Sequence, residues 1–368
     1  MQLDQKEFLK FKVQKFNKQS TSAKKTFKIR LISSILIFLY FVIFFVLAAF
    51  SDIYWNWSPF KDDIVALRVC IGFLIIWVSP LIVLVAREIQ HFYFKNNMFA
   101  FWFILFNLTV NIFTPTLFYL LDSYKYIHID SNLSVSFMAI LISTLFFNVL
   151  LVSLYLLSQG MLLLKKWIIL VSINVLASFF FIGIFFFVIM KGWLTLLILF
   201  CLTSFVDIFA YVGGSLFGKK KMSPYISPNK TIGGAITGIV ISTITIIIIF
   251  ISLSNVNWSH NIFGNFLGII FKGDIENSGF VDNLEYVNKF WWWISAVIVI
   301  LFLGVISLLG DLLFSWIKRE DKVKDYSNLI PGHGGILDRF DSHMVVVSFF
   351  LMFTIFVSIA SQTEVLLT

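Results

Sequence analysis

Long apolar runs separated by short polar segments dominate this chain. The runs lie near 31–50, 64–86, 98–121, 133–159, 166–190, 193–213, 232–254, 291–313 and 341–361. Each is about the length a helix needs to cross roughly 30 Å of hydrocarbon. The pattern predicts an all-α polytopic membrane protein with nine transmembrane helices, since lipid offers no partner for the backbone of an open strand. The division between the fifth and sixth spans, at Lys191 and Gly192, is the shortest. The first run is long and lacks a small-residue cleavage pattern, which argues against a signal peptide.

Residues 1–30 form a polar, basic N-terminal segment, either an interfacial amphipathic helix on anionic lipid or a topogenic tail. The remainder divides into N-terminal transmembrane helices over 31–190 and a C-terminal catalytic membrane domain over 191–368, with cytoplasmic loops 214–231 and 314–340. Charge sets the orientation. With the N-terminus in the cytoplasm, nine Lys and Arg fall in the tail, four in 214–231 and five in 314–340, whereas the opposite side holds Lys61, Lys125, Lys191, Lys272 and Lys289. This is the positive-inside pattern, and it makes the acidic segment 255–290 external.

Composition excludes a soluble protein: 59% of the residues are hydrophobic, 13% are charged and mean hydropathy is +0.92. The net charge of +8 resides in short loops between apolar runs, so it reports topology and gives no sign of nucleic-acid binding. Cys70 and Cys201 lie within apolar runs and show no metal-ligand spacing.

Polar residues are scarce, so their clustering carries the chemistry. The first cluster is 310–342, where Asp311 ends an apolar run. A carboxylate there is costly without a cation, water or metal. Ser315 and Lys318 follow at i+4 and i+7, on one face if the helix continues. Arg319, Lys324 and Asp325 come next, then His333 among Pro331, Gly332, Gly334 and Gly335, where backbone could turn closely around an anion. Asp338, Arg339 and Asp341 precede the last span. Carboxylates beside Lys and Arg suit a Mg²⁺–nucleotide site, in which the metal takes a few carboxylates and substrate phosphates. A plain charged loop accounts for the lysines but leaves Asp311 and the glycine turn without a role.

The second cluster is 203–231. Asp207 is intramembrane, four residues before Tyr211; Gly213, Gly214 and Gly218 are expected to loosen the helix end before Lys219; and Ser227, Lys230 and Thr231 lead into the next span. A glycine-rich, lysine-bearing loop could cradle phosphate through its amides, while glycine followed by lysine is also an ordinary cap and topology signal. Both clusters fall on the same side.

Residues 315–341 resemble the signature of the phosphatidate cytidylyltransferases, the CDP-diacylglycerol synthases. Ser315, Lys318, Arg319, Lys324, Asp325, Pro331, His333, Gly334, Gly335, Asp338, Arg339 and Asp341 fill it in register. The second cluster is similar to another conserved region of that family and departs from it at Ile208, Ser215 and Gly233, where a small hydroxyl residue, a basic residue and a glutamate are usual.

The resemblance implies transfer of a cytidylyl group from CTP to phosphatidic acid at the cytoplasmic face of the cell membrane, with pyrophosphate leaving. It implies Mg²⁺, as one or two ions, on Asp311 and Asp338 with Asp341 and Asp325 as second choices. Lys318, Arg319, Lys324 and Arg339 would clamp phosphates, His333 and its glycines would shape the pyrophosphate pocket, and Ser315 would be a ligand or donor. Asp207, Tyr211, Lys219, Ser227, Lys230, Thr231, Gly334 and Gly335 are the expected substrate contacts. A homodimer is implied by the resemblance alone. The rivals are another CTP-using lipid enzyme acting on an archaeal ether lipid or polyprenol, a transporter with a charged gate, and an inactive relative.

Overall fold

The computed structural model describes residues 29–50, 64–94, 97–123, 133–158, 164–188, 193–254, 286–331 and 334–367. Most of the basic N-terminal segment, most of the 255–290 segment, Gly332 and His333 lie outside the described residues. The described residues form helices α1 (Ile29–Phe50), α2 (Ile64–Phe94), α3 (Met98–Ser123), α4 (Leu133–Ser158), α5 (Leu164–Phe186) and α6 (Trp193–Phe217). A two-stranded hairpin, β1 (Lys221–Ser223) and β2 (Ser227–Thr231), leads into α7 (Ile232–Ser254), α8 (Tyr286–Glu320) and α9 (Leu337–Leu367).

Among the described residues, seven helices are long and apolar enough to cross a membrane: α1, α2 and α5 through α9. Within α3 and α4 the apolar runs so delimited, Met98–Val110 and Asn148–Leu157, are shorter. The fold is that of an all-α polytopic membrane protein.

Four helices outrun the apolar windows that announce them. α2 continues to Phe94, α6 to Phe217 and α8 to Glu320, and α9 begins at Leu337. Hydropathy marks where lipid lies, whereas the helix persists as long as its hydrogen bonds do, so polar residues extend it into the interface. These extensions carry Glu88, Lys318 and Asp338.

The second cluster departs from its expected form. The helix does not loosen at Gly213 and Gly214 but runs through them, and the loop beyond is largely a hairpin in which Lys221 pairs with Thr231 and Ser223 with Ser227. The glycines serve close packing of α6 on α7. A Cβ at Gly213 would lie 1.7 Å from Thr237 Oγ1, one at Gly234 2.5 Å from the Ala210 carbonyl oxygen, and one at Gly238 2.8 Å from that of Val206. Small residues spaced by four on both helices let the backbones approach, which is how helices gain contact in lipid, where burial of apolar surface gives little.

Polar side chains tie other helices together. Asn107 of α3 donates to Asn148 of α4 at 2.7 Å, and Asn148 reaches Ser178 of α5 at 3.5 Å. α1 is held by a mutual pair of hydrogen bonds between Tyr40 and Trp77 of α2. Beneath the loops, Phe41, Phe180, Phe200 and Phe340 form a ring cluster joining α1, α5, α6 and α9, with centroids 5.5 to 6.4 Å apart. Edge and tilted ring contacts of this kind add packing energy beyond area.

Candidate active site

α8 passes unbroken through Asp311, Ser315 and Lys318, so the spacing of four and three puts them on one face. Ser315 Oγ donates to Asp311 Oδ1 at 3.2 Å. Lys230 of β2 makes an ion pair with Asp311 Oδ2, both side chains about three-quarters buried at 24% and 22% exposure. Asp311 stands nine residues before the end of α8, roughly 14 Å along the axis. It is a carboxylate inside the bundle, matched by a cation delivered from the hairpin.

The hairpin is shaped for that delivery. Thr231 Oγ1 accepts the Gly234 amide at 3.1 Å, capping α7, and the Ile232 amide donates to the Lys220 carbonyl at 2.9 Å. Arg319 donates through Nε to the Ile226 carbonyl at 3.3 Å and through Nη1 to that of Val323 at 3.1 Å, stapling the hairpin to α8 and the loop that follows. Any Cβ at Gly233 would meet the Phe217 carbonyl oxygen at 2.7 Å. The backbone here has no room for the glutamate usual in the family.

The segment from Asp321 to Ile336 returns the chain to the start of α9. Asp338 organises it: Oδ1 accepts from Lys318 Nζ at 2.7 Å, and Oδ2 accepts the Tyr326 and Gly335 amides at 2.9 Å each. Its side chain is 4% exposed. Tyr326 is buried against Phe92 and Phe314, with the Lys318 ammonium 5.5 Å from its ring centroid. Burial, reinforced by nearby Tyr93 and Asp338, pushes its hydroxyl far above the ordinary tyrosine range, leaving a neutral donor toward the Phe314 carbonyl at 3.4 Å. Gly334 has φ +84°, a left-handed turn for which glycine is suited, and its carbonyl accepts the Ile330 amide at 2.9 Å.

Glu88 holds this turn from the far end of α2 and was not singled out by the sequence. Its Oε1 accepts from Ser327 Oγ at 2.7 Å and from the Ile336 amide at 2.6 Å; its Oε2 accepts the Leu337 amide at 2.8 Å. It is 1% exposed. A carboxylate that takes the first amides of a helix also meets the positive end of its dipole. A Cβ on Gly335 would fall 2.7 Å from Glu88 Oε1, so the glycine makes space for the carboxylate. The only signal in the sequence was an acid at the border of an apolar run.

Asp207 on α6 and Arg339 and Asp341 on the first turns of α9 complete the cluster. Asp207 is in electrostatic contact with Asp311, Lys230 and Arg339, and Asp341 with Asp311, Lys318 and Asp207. Asp341 Oδ1 also accepts the Ser342 amide at 2.8 Å. Three cations and four carboxylates from α6, β2, α8 and α9 thus share one region at one end of the bundle.

The other expected residues differ in setting. Tyr211 is 82% exposed, and Lys219, Lys324 and Asp325 are exposed. Ser227 is paired in the hairpin and Thr231 is a helix cap. Ile208 and Ser215 are exposed on α6, with Ser215 Oγ bonded to the Val212 carbonyl at 2.6 Å. His343 lies between the Phe200 and Phe340 rings with Nε2 3.4 Å from Ser204 Oγ.

Residues 8–357 match the family model described as the Cytidylyltransferase family. The phosphatidate cytidylyltransferase of Haemophilus influenzae is 40% identical over 166 residues, 45% of this chain and 47% of its own. That of Bacillus subtilis is 38% identical over 140 residues, 38% of this chain and 39% of its own. That of Rickettsia bellii is 35% identical over 153 residues, 41% of this chain and 53% of its own. The chain therefore spans about half the length, or less, of each of these curated relatives. With a match to the family model over nearly its whole length, the chain belongs to the cytidylyltransferase family.

Proposed function

We propose that the protein is a phosphatidate cytidylyltransferase, converting CTP and phosphatidic acid to CDP-diacylglycerol and pyrophosphate at the cytoplasmic face of the membrane. The observation that carries this reading is the meeting of Lys230, Lys318 and Arg339 with Asp207, Asp311 and Asp341 at one end of a membrane bundle. The relatives named for this reaction support it. The end that carries the site is also where Arg30, Lys165, Lys166, Lys219, Lys220, Lys221 and Arg319 cluster, which supports a cytoplasmic site, a cytoplasmic N-terminus and nine crossings.

The nucleophile is a phosphate oxygen of the lipid, which attacks the α-phosphorus of CTP as the bond to pyrophosphate breaks. A phosphate monoester has a second pKa near ~6 and is already anionic at neutral pH, so no strong general base is required. The obstacle is repulsion between anions. Lys230, Lys318 and Arg339 lower it, and helices fixed by Glu88 and Asp338 hold the attacking and leaving groups in line. Asp338 also holds Lys318 and the loop in place.

A divalent ion fits the donor set. Asp311 and Asp341, with Asp207 beside them, offer hard carboxylate oxygens. That is the pattern of Mg²⁺, which takes one or two carboxylates and completes its shell with water and substrate phosphate. Bound there, it would neutralise charge on the CTP phosphates. The homodimer belongs to the same reading and is tested by the mass of the protein in detergent.

Pyrophosphate release by the purified protein tests the reaction. Release that needs both CTP and phosphatidic acid and stops with EDTA supports it. Pyrophosphate release only with an archaeal ether lipid phosphate, or release of CDP in place of pyrophosphate with dolichol, replaces it with a different CTP-using enzyme.

A further inference from the structure

A cavity of about 860 Å³ runs along the outside of the site, between α1 and α6. Its α1 wall is a single stripe from Ser34 through Phe41 to Ala49, and its α6 wall a single stripe from Ile208 through Cys201 to Trp193. Each stripe spans sixteen residues at helical spacing, roughly 22 Å. The two helices are antiparallel, so Ser34 faces Ile208 and Ala49 faces Trp193.

The two ends differ in chemistry. Arg339, Ser34, Ser204 and His343 gather at the end nearest the carboxylates, and the lining is otherwise apolar. Arg339 is the joint between the spaces: it lines the cavity and is in electrostatic contact with Asp207. α1 is the outer wall, with only 17% of its span buried. α1 is nonetheless fixed in place, by the Tyr40 and Trp77 pair and by Ser33 Oγ donating to the Pro331 carbonyl at 3.2 Å.

A long apolar trough with a cation at the end that opens on a phosphate-handling site matches one class of occupant, a single-chain tail leading from an anionic phosphate headgroup. We propose that the trough between α1 and α6 holds one acyl chain of the phosphate-headed lipid substrate, with the headgroup at Arg339, and that its walls limit the chain length accepted. The inference rests on the proposed reaction and deepens it. Moving a chain from bilayer to trough exchanges one apolar setting for another, so the trough gains little affinity. It selects by exclusion: a side chain that fills it rejects tails reaching past that depth.

Cys201 lies seven residues below Ile208, roughly 10 Å down the trough. In Cys201→Trp, the turnover ratio for dipalmitoyl over dioctanoyl phosphatidic acid is expected to fall about tenfold or more, the cost of overpacking a filled site. Ile244→Trp, which places the same side chain at an exposed position on α7, should leave that ratio as in the parent. Because each ratio is internal to one preparation, partial misfolding cannot mimic it. An unchanged ratio in Cys201→Trp overturns the proposal.

Photolabelling reads the same trough without turnover. A phosphatidic acid carrying a diazirine near its acyl terminus should label α1 and α6 peptides, and unlabelled phosphatidic acid should compete while phosphatidylcholine does not. Labelling elsewhere, or equal competition by phosphatidylcholine, overturns the trough. Specific labelling without product formation with any phosphatidic acid overturns the proposed reaction and leaves the trough standing.

Discussion

The Glu88 carboxylate on α2 and the Leu337 amide at the start of α9 meet at 2.8 Å, although 249 positions separate them in the chain. With the bonds to Ile336 and Ser327, this contact makes a helix of the N-terminal half the support for the loop that carries Gly335 and Asp338.

Replacing that carboxylate should be costly even when shape is kept. In Glu88→Gln the side-chain amide presents N–H groups to a site built of donors, leaving at least one buried amide without an acceptor, a loss of about 1–3 kcal/mol. The expected result is a lower midpoint in thermal unfolding in detergent together with reduced turnover. Glu88→Asp, which keeps the charge but shortens the reach, should recover part of both.

Lys230 is expected to act through its charge, both on the phosphates and on Asp311. Lys230→Met retains most of the length of the side chain and removes the cation beside Asp311. Turnover should fall about a hundredfold or more, as for loss of a preorganised charge at a reacting centre, and the unfolding midpoint should also fall, because Asp311 is left largely buried without its cation. Lys230→Arg should retain measurable activity.

The contact of Gly233 with the Phe217 carbonyl makes the familiar glutamate a destabilising change here. Gly233→Ala should cost about 1–3 kcal/mol through forced backbone shifts, and Gly233→Glu at least as much. Survival of monodisperse protein after heating would measure it. Normal heat resistance in both variants would show that α6 and α7 can part without cost.

Asn148 supplies the contrast of a residue that holds helices and takes no part in chemistry. Asn148→Leu should lower stability by about 0.6–2 kcal/mol, the range for polar contacts between helices in lipid. Turnover at temperatures well below the midpoint should remain that of the parent.

Much of this architecture is legible in the sequence. Apolar runs located the helices because lipid demands long uninterrupted ones, and the spacing of Asp311, Ser315 and Lys318 placed them on a face that the structure shows. Glu88 was not legible: its partners are distant in sequence, and nothing local distinguishes it from an ordinary acid at a helix end. The hairpin was missed because strands of three and five residues are too short to display alternation. Gly213 and Gly214 were read as loosening the helix because glycine after an apolar run usually ends one; only the presence of α7 shows that their missing side chains admit a neighbour. The Asp338 spacing pointed to chemistry, and its role as a loop organiser appears only when the Tyr326 and Gly335 amides are seen to converge on it.

The most direct test of the central claim follows labelled phosphorus from CTP into lipid. With CTP labelled at the α-phosphorus and phosphatidic acid in detergent, label should move to the organic phase as CDP-diacylglycerol, and label at the γ-phosphorus should stay in water as pyrophosphate. Asp311→Asn, folded and inserted, should abolish the transfer. Label from the γ-phosphorus appearing in the lipid, or undiminished transfer by Asp311→Asn, would contradict the account.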